Sequence, residues 1–129
     1  MSAGSAVQQA IAAQIAAIGE VTGVFDGPPA RASFPYVAID AGSESDWSHK
    51  SGAGREVMVA ATLWDDQPAR LHPLADAVEG AVLAAAVGDG WQLVSLRLLR
   101  RRIVRDVAGP WAAALDFRAR LLAVPNEGN

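Results

Sequence analysis

Two long apolar runs near the C-terminus, WQLVSLRLLRRRIVRD from Trp91 and PWAAALDFRARLLAV from Pro110, leave this chain few folds to choose from. LDFRARL alternates cleanly, with Leu115, Phe117 and Leu121 on one face and Asp116, Arg118 and Arg120 on the other. A two-residue period belongs to a strand. Joined by a short turn around Val107 to Pro110, the runs predict two long neighbouring strands, and a pair of strands needs further layers to bury its apolar face.

The rest of the chain supplies those layers. SAVQQAIAAQIAAIG, from Ser5 to Gly19, places Val7, Ile11, Ile15 and Ile18 at helical spacing, with Ser5 as N-cap and Gly19 ending the helix. Val21 to Phe25 reads as a brief strand before a loop rich in Gly27, Pro28, Pro29 and Pro35. PYVAID follows as a strand with Val37 and Ile39 on one face. AGSESDWSHKSGAG, from Ala41 to Gly54, is small, polar and glycine-rich, and reads as a long loop. REVMVAATLWD then carries Val57, Val59, Ala61 and Leu63 on one face and Met58, Ala60, Thr62 and Trp64 on the other, the mark of a central strand. A second helix is expected from Asp66 to Val87, with Asp66 as cap, Pro68 in the first turn, and Leu71, Leu74, Ala75, Val78, Val82 and Leu83 as its buried stripe. Pro73 lacks the N–H that bonds one turn back, which predicts a kink or a late start; GDG at Gly88 to Gly90 ends the segment. The order predicts one α+β domain over residues 1–129: an antiparallel sheet of four to five strands with two helices on one face.

With 129 residues and a composition 51% hydrophobic, such a domain can fill a core without cross-links, and having no cysteine it can form no disulfide. The absence of thiols also removes thiolate nucleophiles and zinc knuckles, and fits a reducing compartment. Gln8, Gln9 and Gln14 interrupt the apolar N-terminal stretch and no basic region precedes it, so neither a signal peptide nor a membrane span is expected, and the chain reads as soluble and intracellular. Charge is unevenly distributed. From Ser95 to Arg120 there are seven arginines and two aspartates, a net +5, in a chain whose formal charge is −3. The remainder therefore carries −8, and two electrostatically different faces are expected.

The densest part of that charge is RLLRRRIVRD, residues 97 to 106. Val94, Leu96 and Leu98 share the face expected to meet the helices, with Ser95 and Arg97 facing away. Beyond Leu98 the alternation breaks, because Arg100 and Arg102 fall on the apolar face and Leu99 and Ile103 on the other. Either a bulge resets the register near Leu99 or the strand runs past the core. Arg97, Arg101, Arg118 and Arg120 are then expected to form a two-strand basic patch. Solvated arginines on an open sheet face are ordinary, whereas a nucleic-acid grip using Arg97, Arg100, Arg101, Arg102 and Arg105 has local charge behind it but no interleaved aromatics, no recognition motif and an acidic pI of about 5.2. Contact between basic and acidic faces of identical subunits suits the charge split better, and head-to-tail contacts close into rings.

Catalytic chemistry has little support in the residues. His49 and His72 have no second ligand at chelating spacing, so no metal and no cofactor are expected. Asp65 and Asp66 sit where a helix needs a cap, Ser43, Ser45, Ser48 and Ser51 lie in the glycine-rich stretch without a nucleophile elbow, and GAG and GDG are too short for phosphate loops. The expectation is that the protein is not an enzyme. SESDWSHKSGAG is more informative, because a tryptophan at the centre of such a loop either folds back on its own sheet or anchors a partner.

The succession of the N-terminal helix, FPYVAID, the glycine-rich stretch, VMVAATLW, the helix through LADAVEGAVLAAA, LVSLRLLRRRIVRD and LDFRARL resembles the tail completion, or tail terminator, family of long-tailed phages and phage-like gene transfer agents. The likeness covers nearly the whole chain. It implies a structural protein of the virion neck, assembled in the bacterial cytoplasm, of which about six copies form a ring. Such a ring caps the tail tube protein, stops tail growth, meets the head connector or stopper protein, and lets double-stranded DNA pass through its lumen. On this reading Asp46, Trp47, His49 and Lys50 reach a neighbouring ring, and Arg97, Arg100, Arg101, Arg102, Arg105, Arg118 and Arg120 lie at subunit or inter-ring contacts.

Overall fold

The computed structural model describes residues 1–27, 29, 31–105, 107 and 109–125. Pro28 of the proline-rich loop, and Asp106 and Ala108 of the C-terminal turn, lie outside the described residues. The elements are α1 (Ala3–Ala16), β1 (Val24–Asp26), β2 (Tyr36–Asp46), β3 (Gly54–Asp65), α2 (Pro68–Leu83), β4 (Trp91–Arg105) and β5 (Trp111–Ala123). They build the expected α+β domain, with five strands in the order β1-β2-β3-β5-β4 and both helices packed on one face.

The alternation read from the sequence fills the core. Val37, Ile39, Val57, Val59, Ala61, Leu63, Leu115, Phe117 and Leu121 are all buried on the helix side of the sheet. Val7, Ile11 and Ile15 of α1 and Leu71, Leu74, Val78 and Val82 of α2 close over them. β3 is the central strand, as its two apolar faces predict, but only one of those faces is covered.

Several local expectations change. Ser2, not Ser5, caps α1: its hydroxyl accepts the Ser5 N–H at 3.1 Å. At the start of α2 the cap position is Gln67 rather than Asp66, and the helix begins at Pro68, runs through Pro73 and ends at Leu83 rather than Val87, leaving the Ala69 carbonyl without its intrahelical donor. Packing of Leu71 and Leu74 into the core outweighs that loss. The sheet is mixed, because β1 lies parallel to β2. A strand of three residues is short enough for the chain to return to its starting end before Tyr36, which follows a cis Phe34–Pro35 bond.

The largest correction concerns the segment from Ala41 to Gly54, which is not a long loop. β2 continues to Asp46 and β3 begins at Gly54, so only residues 47–53 form the hairpin tip. A bulge between Asp40 and Ser43 absorbs the small residues, and the ladder to β3 then resumes with Ser43 opposite Met58 and Asp46 opposite Arg55. Backbone pairing with a strongly strand-forming partner overrides the poor strand propensity of glycine, serine and aspartate. The bulge also turns Glu44 toward α1, where its carboxylate accepts the Gly4 N–H at 2.9 Å and offsets the positive end of the helix.

Candidate assembly surface

The uncovered face of the sheet is laid out in rows by strand register. One row crosses Asp40, Ala60, Asp116 and Arg100; the next crosses Ser43, Met58, Arg118 and Arg97. Toward the hairpin tip the row is Ser45, Glu56, Arg120 and Ser95, and toward the other end it is Ala38, Thr62, Ala114 and Arg102. Asp40, Ser43, Met58, Ala60, Leu99 and Arg100 line an open depression of about 380 Å³ on this face.

β4, which carries the arginine run, is an edge strand with one side unpaired. Its alternation fails near Leu99 because of a bulge there, the first of the two outcomes foreseen. A second bulge at Val94, which the sequence does not announce, turns that residue outward to 46% exposure instead of toward the helices. Leu96 and Leu98 do pack on the core. The Leu99 bulge returns Arg100 and Arg102 to the open face and sends Arg101 and Ile103 to the helix side.

Arg101 is therefore not part of the open-face patch. Its guanidinium donates to Asp76 at 2.7 Å and Glu79 at 3.0 Å on α2, and to the His72 carbonyl at 3.3 Å. Partial burial alone would lower its pKa, but the bonds to Asp76 and Glu79 outweigh that and raise it. It clamps the edge strand to α2. Reversal to glutamate sets three carboxylates together, and Arg101→Glu is expected to destabilise the monomer by about 2 kcal/mol in chemical denaturation. Arg102→Glu, on an exposed side chain, is expected to leave the midpoint near that of the wild type.

The remaining arginines differ in how they are held. Arg100 faces Asp116 at 3.6 Å and Arg105 lies over the Trp111 ring at 5.0 Å. Arg120 donates to Glu56 at 2.9 Å while its guanidinium sits 5.4 Å from the centre of the Trp47 ring. Arg97 and Arg118 stand directly opposite each other across β4 and β5, an unfavourable like-charge pair. Among the described residues neither has an acidic partner, and the buried Nε of Arg118 has no acceptor.

At the hairpin tip, Trp47 folds back onto its own sheet under Arg120 and stacks edge-on against His49, with ring centres 4.5 Å apart. Its N–H bonds the Gly54 carbonyl at 2.9 Å, and His49 pairs with Gly52. Asp46 accepts the Ser48 hydroxyl at 2.6 Å, and Lys50 is exposed. The tip is thus a built structure that brings Trp47 and His49 together with Arg120, a juxtaposition that sequence separation conceals. His72 sits apart on α2. Among the described residues no group of three or more histidine, aspartate or glutamate side chains could hold a metal ion, and no helix is long and apolar enough to cross a membrane.

The molecule is an α+β domain whose distinctive chemistry lies on a sheet face and its edges, in the same order of elements that the residue pattern associates with tail completion. The chain belongs to the tail completion protein gp17 family, whose model matches residues 5–122. It is similar to a chain in the virion of a native gene transfer agent particle, at 27% identity and a TM-score of 0.61, over 95% of this chain and 96% of that one. Its fold is also that of the gp17 protein of bacteriophage SPP1, at 19% identity and a TM-score of 0.63, over 98% and 94% of the two chains. No curated protein matches the chain in sequence.

Proposed function

We propose that this tail completion protein is a structural component of the neck of a phage-like particle, where about six copies form a ring that caps the tail tube, ends its growth and meets the head connector. The observation that carries the reading is the family match across residues 5–122. The ring assembles in the bacterial cytoplasm and double-stranded DNA passes through its lumen. The tip at Asp46, Trp47, His49 and Lys50 reaches the adjoining ring, and the exposed arginines of β4, together with Arg118 and Arg120, serve subunit or inter-ring contacts. Arg101 contributes indirectly, by holding β4 against α2. A nucleic-acid grip is disfavoured because Asp116, Glu56 and Asp40 share the open face with the arginines and interrupt any track for phosphates.

Deleting the gene in a particle-producing cell tests this. Electron microscopy is expected to show filled heads separated from tails, and tail tubes of uncontrolled length, with joined particles restored when the chain is supplied from a plasmid. Joined particles with normal tails in the deletion strain would overturn the reading. A strong salt-dependent shift of double-stranded DNA by the isolated monomer would favour the nucleic-acid alternative instead.

A further inference from the structure

The sheet has two free edges, and they carry opposite charge. β1 covers β2 only as far as Ile39, so from Asp40 onward β2 is itself the edge. That stretch, DAGSESD, holds three acidic residues and no basic one, and every residue in it except Ala41 is exposed. Asp26, exposed at the end of β1, extends the acidic border. On the opposite edge β4 has five arginines and no acidic residue, and four of the five are exposed. Apart from the Gly42 N–H, which bonds the Asp40 carboxylate at 2.9 Å, residues 40–46 make no described backbone-to-backbone hydrogen bond outside their pairing with β3, and beyond Trp91 β4 makes none outside its pairing with β5.

The register relates these edges to each other. Asp40 and Arg100 lie at the two ends of one row, through Ala60 and Asp116. Since β2, β3, β5 and β4 are successively antiparallel, β4 runs opposite to β2. A second copy rotated about an axis along the strands would therefore bring its β4 antiparallel to the first copy's β2, with Arg100 arriving at the level of Asp40. A twofold β4-to-β4 contact would set arginine against arginine, which like-charge repulsion disfavours.

We propose that the occupant of the β4 edge is the acidic β2 edge of a second copy, with Arg100 at the level of Asp40, Arg97 at that of Ser43, and Arg102 at that of Ala38, one residue from the level of Asp26. The contact is heterologous, so it leaves one edge of each kind free at either end and propagates until a ring closes. This inference rests on the ring reading above and specifies its seam. The bulges at Val94 and Leu99 and the exposed arginines of this edge keep it from pairing with strands that lack the matching charge.

The test uses two full-length variants. Arg97→Glu with Arg102→Glu reverses the charge at two exposed positions of the β4 edge, and removes the like-charge pair with Arg118. Asp26→Lys with Ser45→Lys places positive charge on the β2 edge near the levels of Arg102 and Arg97; neither side chain has a hydrogen bond among the described residues. Each variant alone is expected to lower the yield of joined particles by at least about tenfold in the deletion strain, while its circular-dichroism melt matches the wild type. Co-expression is expected to restore the yield, because the two variants can alternate around a ring with every seam complementary. Wild-type yield from either variant alone, or no restoration by two folded variants, overturns the edge pairing. Electron microscopy of wild-type necks separates the two levels. A ring insensitive to the substitutions removes only this seam, whereas a neck with no ring of this chain removes the ring reading and the seam with it.

Discussion

Arg70→Ala is expected to destabilise the folded chain by about 3 kcal/mol, because it strands Asp65, among the described residues the one charged side chain that the core encloses completely. Asp65 ends β3 with no exposed surface, and Arg70, one turn into α2, grips it with two bonds of 2.7 Å from Nε and Nη2. The Gln67 N–H supplies a third donor at 3.2 Å. Removing the guanidinium leaves a buried carboxylate with only that weaker donor, which is the costly way to break such a pair. The Arg70 side chain keeps 30% of its surface in water, so the effect belongs at the lower end of the range for buried pairs. For a domain of this size that corresponds to a melting temperature roughly 10 °C lower.

The same pair sets an acid limb. Burial alone would raise the Asp65 pKa, but the Arg70 hydrogen bonds, the Gln67 N–H and the arginine charge together hold it below the ordinary carboxylate value. A lowered folded-state pKa means that its contribution is fully present above the unfolded value of about 3.9 and disappears as pH falls through the folded value. Asp65→Asn, which keeps the shape and can still accept from Gln67, is expected to be less damaging than Arg70→Ala. It should also flatten the dependence of the melting temperature on pH below about 4. An Arg70→Ala melt within 2 °C of the wild type, on the order of 0.5 kcal/mol, would show that the pair contributes little.

Gly54→Ala is expected to be of similar size, about 3 kcal/mol, for a steric reason. Gly54 is buried at the first rung of β3, opposite Leu122. A Cβ there would be driven into the Trp47 carbonyl oxygen, with the Trp47 carbonyl carbon 2.9 Å away and the Leu121 carbonyl oxygen at 3.0 Å. Those are backbone atoms of a paired hairpin, so no side chain can swing aside to make room. The tip must open, breaking the Trp47 N–H bond to Gly54 and lifting Trp47 from Arg120. Gly52→Ala is the control, since nothing lies within 4 Å of the added carbon and its cost should be small. Amide exchange at Trp47 is expected to accelerate in the first variant and not in the second. Equal melts for the two would refute the steric account.

These sites also mark where reading residues in order succeeds and where it stops. The faces of β3 and β5, the stripes of α1 and α2 and the break near Leu99 follow from local periodicity, since a two-residue or 3.6-residue repeat is set by the backbone. Glu44 capping α1 and Arg101 clamping α2 depend on bulges, each of which exchanges the two faces of a strand for everything beyond it. Whether a break is a bulge, and how many there are, is decided by the partner strand; hence the bulge at Val94 leaves no signal in its own segment. The stretch from Ala41 to Gly54 fails for a related reason. Its composition favours a loop, and only the ladder offered by β3 holds its first part extended.

The amino-acid order by itself determined most of the residues that enter the core, with Leu83 and Val94 the expected members that turn outward, that two helices cover one side of a sheet, and that the chain resembles the tail completion family. It also determined that positive charge is concentrated late in a chain that is otherwise acidic. Tertiary structure decided what that charge faces: strand order places β4 at one edge and, beyond the reach of β1, the acidic end of β2 at the other, while register gives Arg101 to the fold and leaves Arg97, Arg100 and Arg102 outward. The division has one physical cause. Burial patterns are properties of single segments, whereas edges, rows and opposed charges exist only after strands separated by tens of residues have paired.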